Sequence, residues 1–170
     1  MKLKAICFLV ISLCFTSCTG QNAVGPDATD PDVAELAGNQ AGAYFAVFET
    51  LYETDPALNA DSAYLALDLT NVMLEDTEPL IVLMQDFCDD NGYTFLLDTI
   101  DALTEKGYIK DLYFEEGFVI TFSDIQLDSN TLVTSAMKWR SGLGAIGADY
   151  TVEQSNGTWE ITEMSNNWIS

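Results

Sequence analysis

The chain has 170 residues, with 27 acidic and 6 basic side chains, no histidine and a formal net charge of −21. That balance argues against nucleic acid as a partner, because phosphate binding needs clustered Lys and Arg, and against direct docking on anionic lipid. The lack of histidine removes Ser-His-Asp and Cys-His catalysis, histidine zinc sites and the commonest general base.

Lys2 and Lys4 precede "AICFLVISLCF", an apolar run of 11 residues interrupted only by Ser12. A membrane-spanning helix needs roughly 20. A charged start, a short apolar core and small residues after it describe a secretory signal. Thr16 and Ser17 stand directly before Cys18. The segment "FTSC" resembles the lipobox of bacterial lipoproteins, with Phe15 in place of the usual leucine. The resemblance implies loss of residues 1–17 and lipidation of Cys18. Cys14 fits less well, because Leu13 is bulky where a small residue is needed. An ordinary signal peptide with an incidental cysteine is the alternative. Acyl chains contribute about 0.8 kcal/mol per buried methylene, and two chains anchor stably. The expected location is therefore extracytoplasmic, on a bacterial cell membrane or outer membrane, with the membrane as partner through the lipid on Cys18.

Residues 18–31 are rich in Gly, Pro, Asp and small side chains and read as a flexible tether. Residues 32–170 are the length of one domain. From Cys18 onward four basic residues (Lys106, Lys110, Lys138, Arg140) face 27 acidic ones, a net charge of −23. This charge has three readings: solubility in a salty or acidic host setting, divalent cation binding, and a basic partner.

Apolar residues at Val33, Leu36, Tyr44, Phe48 and Leu51 predict a helix over 33–54, with Asp32 as its cap. Residues 62–70 are open to two readings: Leu65, Leu67 and Leu69 alternate as in a short strand or extended segment, which is preferred, while Leu65, Leu69 and Met73 also fit a helix. "TEPLIVLMQDFCDDNG" predicts a buried helix that starts at Thr77 and Pro79 and stops at Gly92. Cys88 lies in it beside three aspartates and reads as a small core side chain rather than a reactive thiol. "TFLLDTIDALTEKG" predicts a further helix from Thr94 to Gly107, with Leu97, Ile100 and Leu103 facing inward.

The period then changes to two. "YIKDLYF", "FVITFSDIQL", "TLVTSAMKW", "ADYTVEQ" and "WEITEM" predict an antiparallel meander. Asn156-Gly157 is a hairpin turn signal. It pairs Val152 with Ile161 and Gln154 with Trp159. A turn at Ser129-Asn130 pairs Phe122 with Met137, Ile120 with Trp139 and Gln126 with Val133. Thr121, Ser123, Thr134, Lys138 and Arg140 then share the other face. "RSGLGAIG" reads as a glycine-rich connection. Helices first and a curved meander last predict an α+β fold with the helices on one face of the sheet. The segments "KWRSGLGAIGADYTV" and "NGTWEITEMSNNWIS" resemble small bacterial lipoproteins of the cystatin-like or NTF2-like type. That group spans pocket binders, small-molecule enzymes, inhibitors and structural subunits, so the resemblance implies fold more than activity.

Six residues are candidates for ligand binding: Tyr150, Trp139, Trp159, Trp168, Lys138 and Arg140. The aromatics would line a pocket in a curved sheet, or simply pack the core. Lys138 and Arg140 would hold an anionic group, or pair with Asp149, Glu153 or Glu160. Asp27, Asp30, Asp32 and Glu35 lack the order of a calcium loop, and "GLGAIG" lacks the lysine of a phosphate loop. No metal or cofactor is expected. Asp68 and Asp124 are acids in apolar segments, open to a general-base reading but without a second catalytic group. The first expectation is a non-catalytic module holding a small ligand between helices and sheet. The second is a protein-interaction or inhibitor domain of the envelope, and the third an enzyme that uses carboxylates.

Overall fold

The computed structural model describes residues 38–170. The expected tether, Asp32 and Cys18 lie outside the described residues. Helix α1 spans Gln40–Glu53, and the Asn39 side chain caps it by accepting from the Ala41 amide at 2.8 Å. A 3-10 turn, Pro56–Asn59, leads to β1, Tyr64–Asn71, where the alternating leucines predict a strand. Helix α2, Glu78–Asn91, begins after Thr77 with Pro79 in its first turn and ends at Gly92, whose φ of 77° is left-handed. Only a residue without Cβ adopts that conformation at no steric cost.

The helix expected over 94–107 divides in two. Thr94–Leu97 is a strand, β2, and Ile100–Glu105 is a short helix, α3. Thr99, not Thr94, is the cap, its hydroxyl accepting from the Ala102 amide at 3.0 Å. Thr99→Ala is expected to lower stability by about 1 kcal/mol, the usual cost of a lost cap, read as a shift of the urea midpoint. The "YIKDLYF" segment is likewise not a strand. Lys110 and Tyr113 exchange backbone hydrogen bonds around Asp111 and Leu112, which both have positive φ.

Strands β3 (Gly117–Leu127), β4 (Thr131–Ser141), β5 (Gly144–Ser155) and β6 (Thr158–Ile169) form the expected antiparallel meander. The sheet has six strands in the order β2-β1-β3-β4-β5-β6. It is mostly antiparallel, but β1 pairs with both β2 and β3 in parallel. The connection from β1 to β2 moves one way along the sheet and that from β2 to β3 moves back across it. Crossovers of one hand then place the two connections on opposite faces. Helices α1 and α2 therefore cover one face, as expected. Helix α3 and the 106–116 loop cover part of the other, which corrects the expectation of helices on one face only.

Burial follows this division. Tyr44, Phe48, Leu83, Phe118, Phe122 and Val152 belong to the large core under α1 and α2. Ala66, Leu103, Ile109, Phe114 and Val119 form a smaller core on the opposite face, with Trp139 half-buried against it. Cys88 is buried, and burial, with Asp89 second, pushes its thiol up to about 12. This fits a packing role.

The Asn156-Gly157 hairpin has the expected pairs, Val152 with Ile161 and Gln154 with Trp159. In the β3–β4 hairpin only Gln126–Val133 is as expected. Asp124 pairs with Thr134, so Ile125 is an extra residue, and beyond it Phe122 meets Ala136 and Ile120 meets Lys138. A one-residue slip moves every later side chain to the other face. Lys138 thus enters the large core and Trp139 leaves it. The expected connection "RSGLGAIG" contracts to a turn at 142–143, and Ala145–Gly147 are strand. Glycine is tolerated there because neighbours fill the Cβ positions: the Trp168 ring above Gly147, and Ser141 Oγ beside Gly144. No helix of the described residues is long and apolar enough to cross a membrane.

Candidate ligand-binding face

Of the six candidate residues, only Tyr150 and Trp168 line a common crevice. Tyr150 is buried in the large core, and burial raises its pKa. Trp159 closes the start of α1, its Nε1 donating to the Asn39 carbonyl at 2.6 Å. Trp139 belongs to the smaller core on the opposite face. The crevice that reaches Tyr150 has a volume of about 130 Å³, below the roughly 300–1,000 Å³ of ordinary ligand pockets. Around it the space between helices and sheet holds the large core.

Lys138 and Arg140 are capping residues. Lys138 is 0% exposed. Its Nζ donates to the carbonyls of Thr54 at 2.6 Å, Asp55 at 3.1 Å and Tyr52 at 3.2 Å, and to Asn59 Oδ1 at 2.9 Å. These oxygens end α1 and open the 3-10 turn. The helix leaves carbonyls unpaired there, and its dipole favours a cation. α1 has no basic residue in its own last turn, so β4 supplies the charge. Arg140 donates to the carbonyls of Ala60 at 2.5 Å, Leu58 at 3.2 Å and Glu115 at 2.7 Å. The expected pairing with Asp149, Glu153 or Glu160 does not form, because the Ile125 bulge puts Lys138 on the face they avoid. Burial pushes the Lys138 pKa down to about 8, and the Asp55 carboxylate opposes that shift.

The two candidate bases are also engaged in local structure. Asp68 Oδ1 accepts from the Thr70 amide at 2.9 Å. Asp124 Oδ2 accepts from the Tyr44 hydroxyl and from the Met73 amide, the latter at 2.6 Å.

Trp168 alone among the six presents a broad surface to solvent, being 43% exposed. It pairs with Gly147 across β5 and β6, and Gly147 pairs with Met137. A Cβ on Gly147 would meet the indole atoms Cζ2, Cε2 and Nε1 at 2.6, 2.7 and 2.8 Å. The indole edge that carries Nε1 therefore lies against the strand. Gly147, Asp149 and Thr151 alternate along β5 with Ile146, Ala148 and Tyr150, which are core residues. The indole therefore rests on the face away from α1 and α2, beyond the patch covered by α3. Beside it, Asp149 accepts from the Ser135 hydroxyl and, at 2.6 Å, from Asn166 Nδ2. The Asn166 bond, then the Ser135 bond, hold the Asp149 carboxyl below its usual pKa. Asn166 has a φ of 51° and sits in a bulge, where Asn166 and Asn167 come between the pairs Ser165–Asp149 and Trp168–Gly147.

The arrangement is one half-exposed indole beside a hydroxyl and an amide that both donate to one carboxylate. Sequence reading selected Trp168 but missed Asp149 as a site residue, and Ser135 and Asn166 altogether. The available signal was the glycine at position 147 opposite a tryptophan, which reads as a close approach only once the register is known. Comparisons with protein-family models, curated proteins and solved structures find no match.

Proposed function

We propose that this chain is a lipoprotein, lipidated on Cys18 and held on the extracytoplasmic side of a bacterial membrane, whose single α+β domain binds a small ligand without catalysis. The binding surface is the open sheet face around Trp168. The observation that carries the reading is the half-exposed indole held against Gly147, with Asp149, Ser135 and Asn166 beside it. A half-exposed aromatic ring fixed on a rigid strand has already lost its conformational freedom, so a ligand gains its full contact. The order of helices first and meander last supports the resemblance to cystatin-like or NTF2-like lipoproteins. The parallel pairing of β1 with β2 and β3 goes beyond the meander read from the sequence.

The protein-interaction reading has an observation of its own. Leu143 is 91% exposed and Leu112 is 71% exposed, and the Gly142 amide donates to the Leu112 carbonyl at 3.0 Å. The two leucines thus share one apolar tip, at the end of the β4–β5 hairpin.

Full-length protein extracted from membranes in detergent, exposed to envelope extract and weighed by native mass spectrometry, separates these readings. A reproducible added mass of small-molecule size, lost in Trp168→Ala, is the expected result. A protein-sized increment lost in Leu143→Ser would replace it with the interaction reading. Cys18→Ser is expected to abolish palmitate labelling and release the chain from the membrane fraction.

A further inference from the structure

We infer that the outer edge of β6 is a docking site for an extended, basic segment of a protein partner, which adds to the six-stranded sheet as a further strand. The inference is independent of the Trp168 reading and goes beyond it. β6 is the last strand of the sheet, and its outer edge has no neighbouring strand among the described residues. The backbone groups that point outward along such an edge are donors and acceptors open to a further strand. Sheet edges are usually blunted by shortness, lysine or proline. The opposite edge is short, since β2 has four residues, Thr94–Leu97. β6 has 12, Thr158–Ile169, with no lysine, arginine or proline among them. It is bulged at Thr162 and at Asn166-Asn167, but residues 158–161 pair with residues 152–155 in unbroken register. The added strand lies along that stretch.

The charge around this stretch selects the occupant. A groove of about 420 Å³ runs between α1 and β6, lined by Glu49 and Glu53 from the helix and by Glu160 and Ile161 from the strand. A second cleft of about 260 Å³ shares Ala46 and Glu49 with it and continues to Trp159. Glu49 and Glu53 are four residues apart on one helix flank, a repulsive spacing for like charges. Partial burial, and then Glu53, raises the Glu49 pKa above its ordinary value. On the other face of the sheet Glu160 stands directly opposite Glu153, and like charges facing across strands are also unfavourable. Among the described residues the one salt bridge joins Lys106 to Asp98, and Lys138 and Arg140 donate to capping carbonyls. The carboxylates that flank the edge on both faces therefore have no cationic partner among the described residues. A second copy of the chain would bring the same carboxylates together across a β6–β6 seam. A neutral strand would leave their repulsion in place. A segment with lysine or arginine relieves it on either face, and the net charge of −21 draws such a segment in.

The test is calorimetric titration of the full-length protein in nonionic detergent with three hexapeptides. One alternates lysine and valine, one alternates glutamate and valine, and the third is the lysine peptide methylated on every backbone nitrogen. Methylation keeps the charge and the side chains but removes the donors that strand pairing needs. The unmethylated lysine peptide is expected to bind, and to lose affinity about fivefold when salt is raised from about 50 to about 200 mM. The other two are expected not to bind. Glu49→Gln with Glu53→Gln, and separately Glu160→Gln, are each expected to weaken the lysine peptide about threefold, as for exposed ion pairs. All three side chains are exposed, and circular dichroism checks that the variants fold. If they do not, the three peptides decide on the unaltered protein. Equal binding of the methylated peptide overturns strand addition. Equal binding of the glutamate peptide, or no effect of the glutamine variants, overturns the basic chemistry. Failure of the lysine peptide to bind overturns the whole proposal. So does a dimer in the native mass spectrum that the lysine peptide dissociates, which gives the edge to a second copy.

Discussion

Replacing Lys138 by methionine is expected to cost about 3 kcal/mol of folding stability. The side chain is fully buried, and its ammonium serves four oxygens at the end of α1 and in the following turn. Methionine fills much of the same volume but donates nothing. Carbonyls that lose their donor inside the protein are left with their desolvation cost, and losing one side of a buried charged interaction is among the more damaging single changes. Urea unfolding checks this, with a lower midpoint and an unchanged slope. A loss below about 1 kcal/mol would mean that these carbonyls find other donors, and that Lys138 is no cap.

The same variant separates a pH effect. Burial lowers the Lys138 pKa from its ordinary 10.5 to about 8. Between those values the unfolded chain binds the proton more than the folded chain does. Stability therefore rises with pH across that window. Below pH 8 both states carry the charge and the contribution is constant. The wild-type protein is expected to gain on Lys138→Met from about pH 8 to 10.5. Cys88 works in the opposite sense, since its raised pKa makes stability fall as pH rises above the ordinary thiol range. Both proteins carry Cys88, so its effect cancels in the difference. A difference that stays flat over the window would refute the lowered Lys138 pKa.

Gly117→Ala is expected to cost about 2–3 kcal/mol, the range for forcing a methyl group into a close-packed core. Gly117 starts β3, and the Phe114 ring stands on it. A Cβ there would lie 2.5, 2.7 and 2.8 Å from three ring carbons. Phe114 is 1% exposed and has Tyr64 and Tyr108 as ring neighbours, at centroid distances of 6.2 Å each. The ring has nowhere to go without moving the smaller core. Trimming it with Phe114→Leu should recover part of the loss in the double variant, which a double-mutant cycle reads directly. Strictly additive losses would show that the two positions are not in steric conflict.

What was legible in the sequence was local. The Asn156-Gly157 turn needs two residues of positive φ, and those residues favour it wherever they occur. It correctly set the β5–β6 register near the turn. Thr77, Pro79 and Gly92 bounded α2 for the same kind of reason. The alternation of Leu65, Leu67 and Leu69 favoured β1 over the helix that Leu65, Leu69 and Met73 also fit, and the structure has the strand. The split at Thr99 was harder. "TFLLDTIDALTEKG" carries an acceptable helical stripe throughout, and only pairing with β1 makes its first four residues a strand. Of the candidate site, Trp168 was visible as a tryptophan outside the obvious core pattern, while its partners came from three strands.

The amino-acid order by itself determined the class of the fold, the place of α2 and of the four meander strands, and the turns whose backbone conformation depends on one or two residues. Tertiary structure alone decided which side chains face which way beyond Ile125. An extra residue in a strand leaves no mark on hydrophobic period, because its neighbours alternate correctly on either side of it. Yet it reverses the facing of the rest of the strand. That reversal turned Lys138 from a surface cation into the buried cap of α1 and sent Trp139 into the opposite core. The long-range pairing of β5 with β6 similarly laid Trp168 over Gly147 and drew Asp149, Ser135 and Asn166 together. Such contacts depend on packing energies summed over the whole sheet, which no short window of the chain contains.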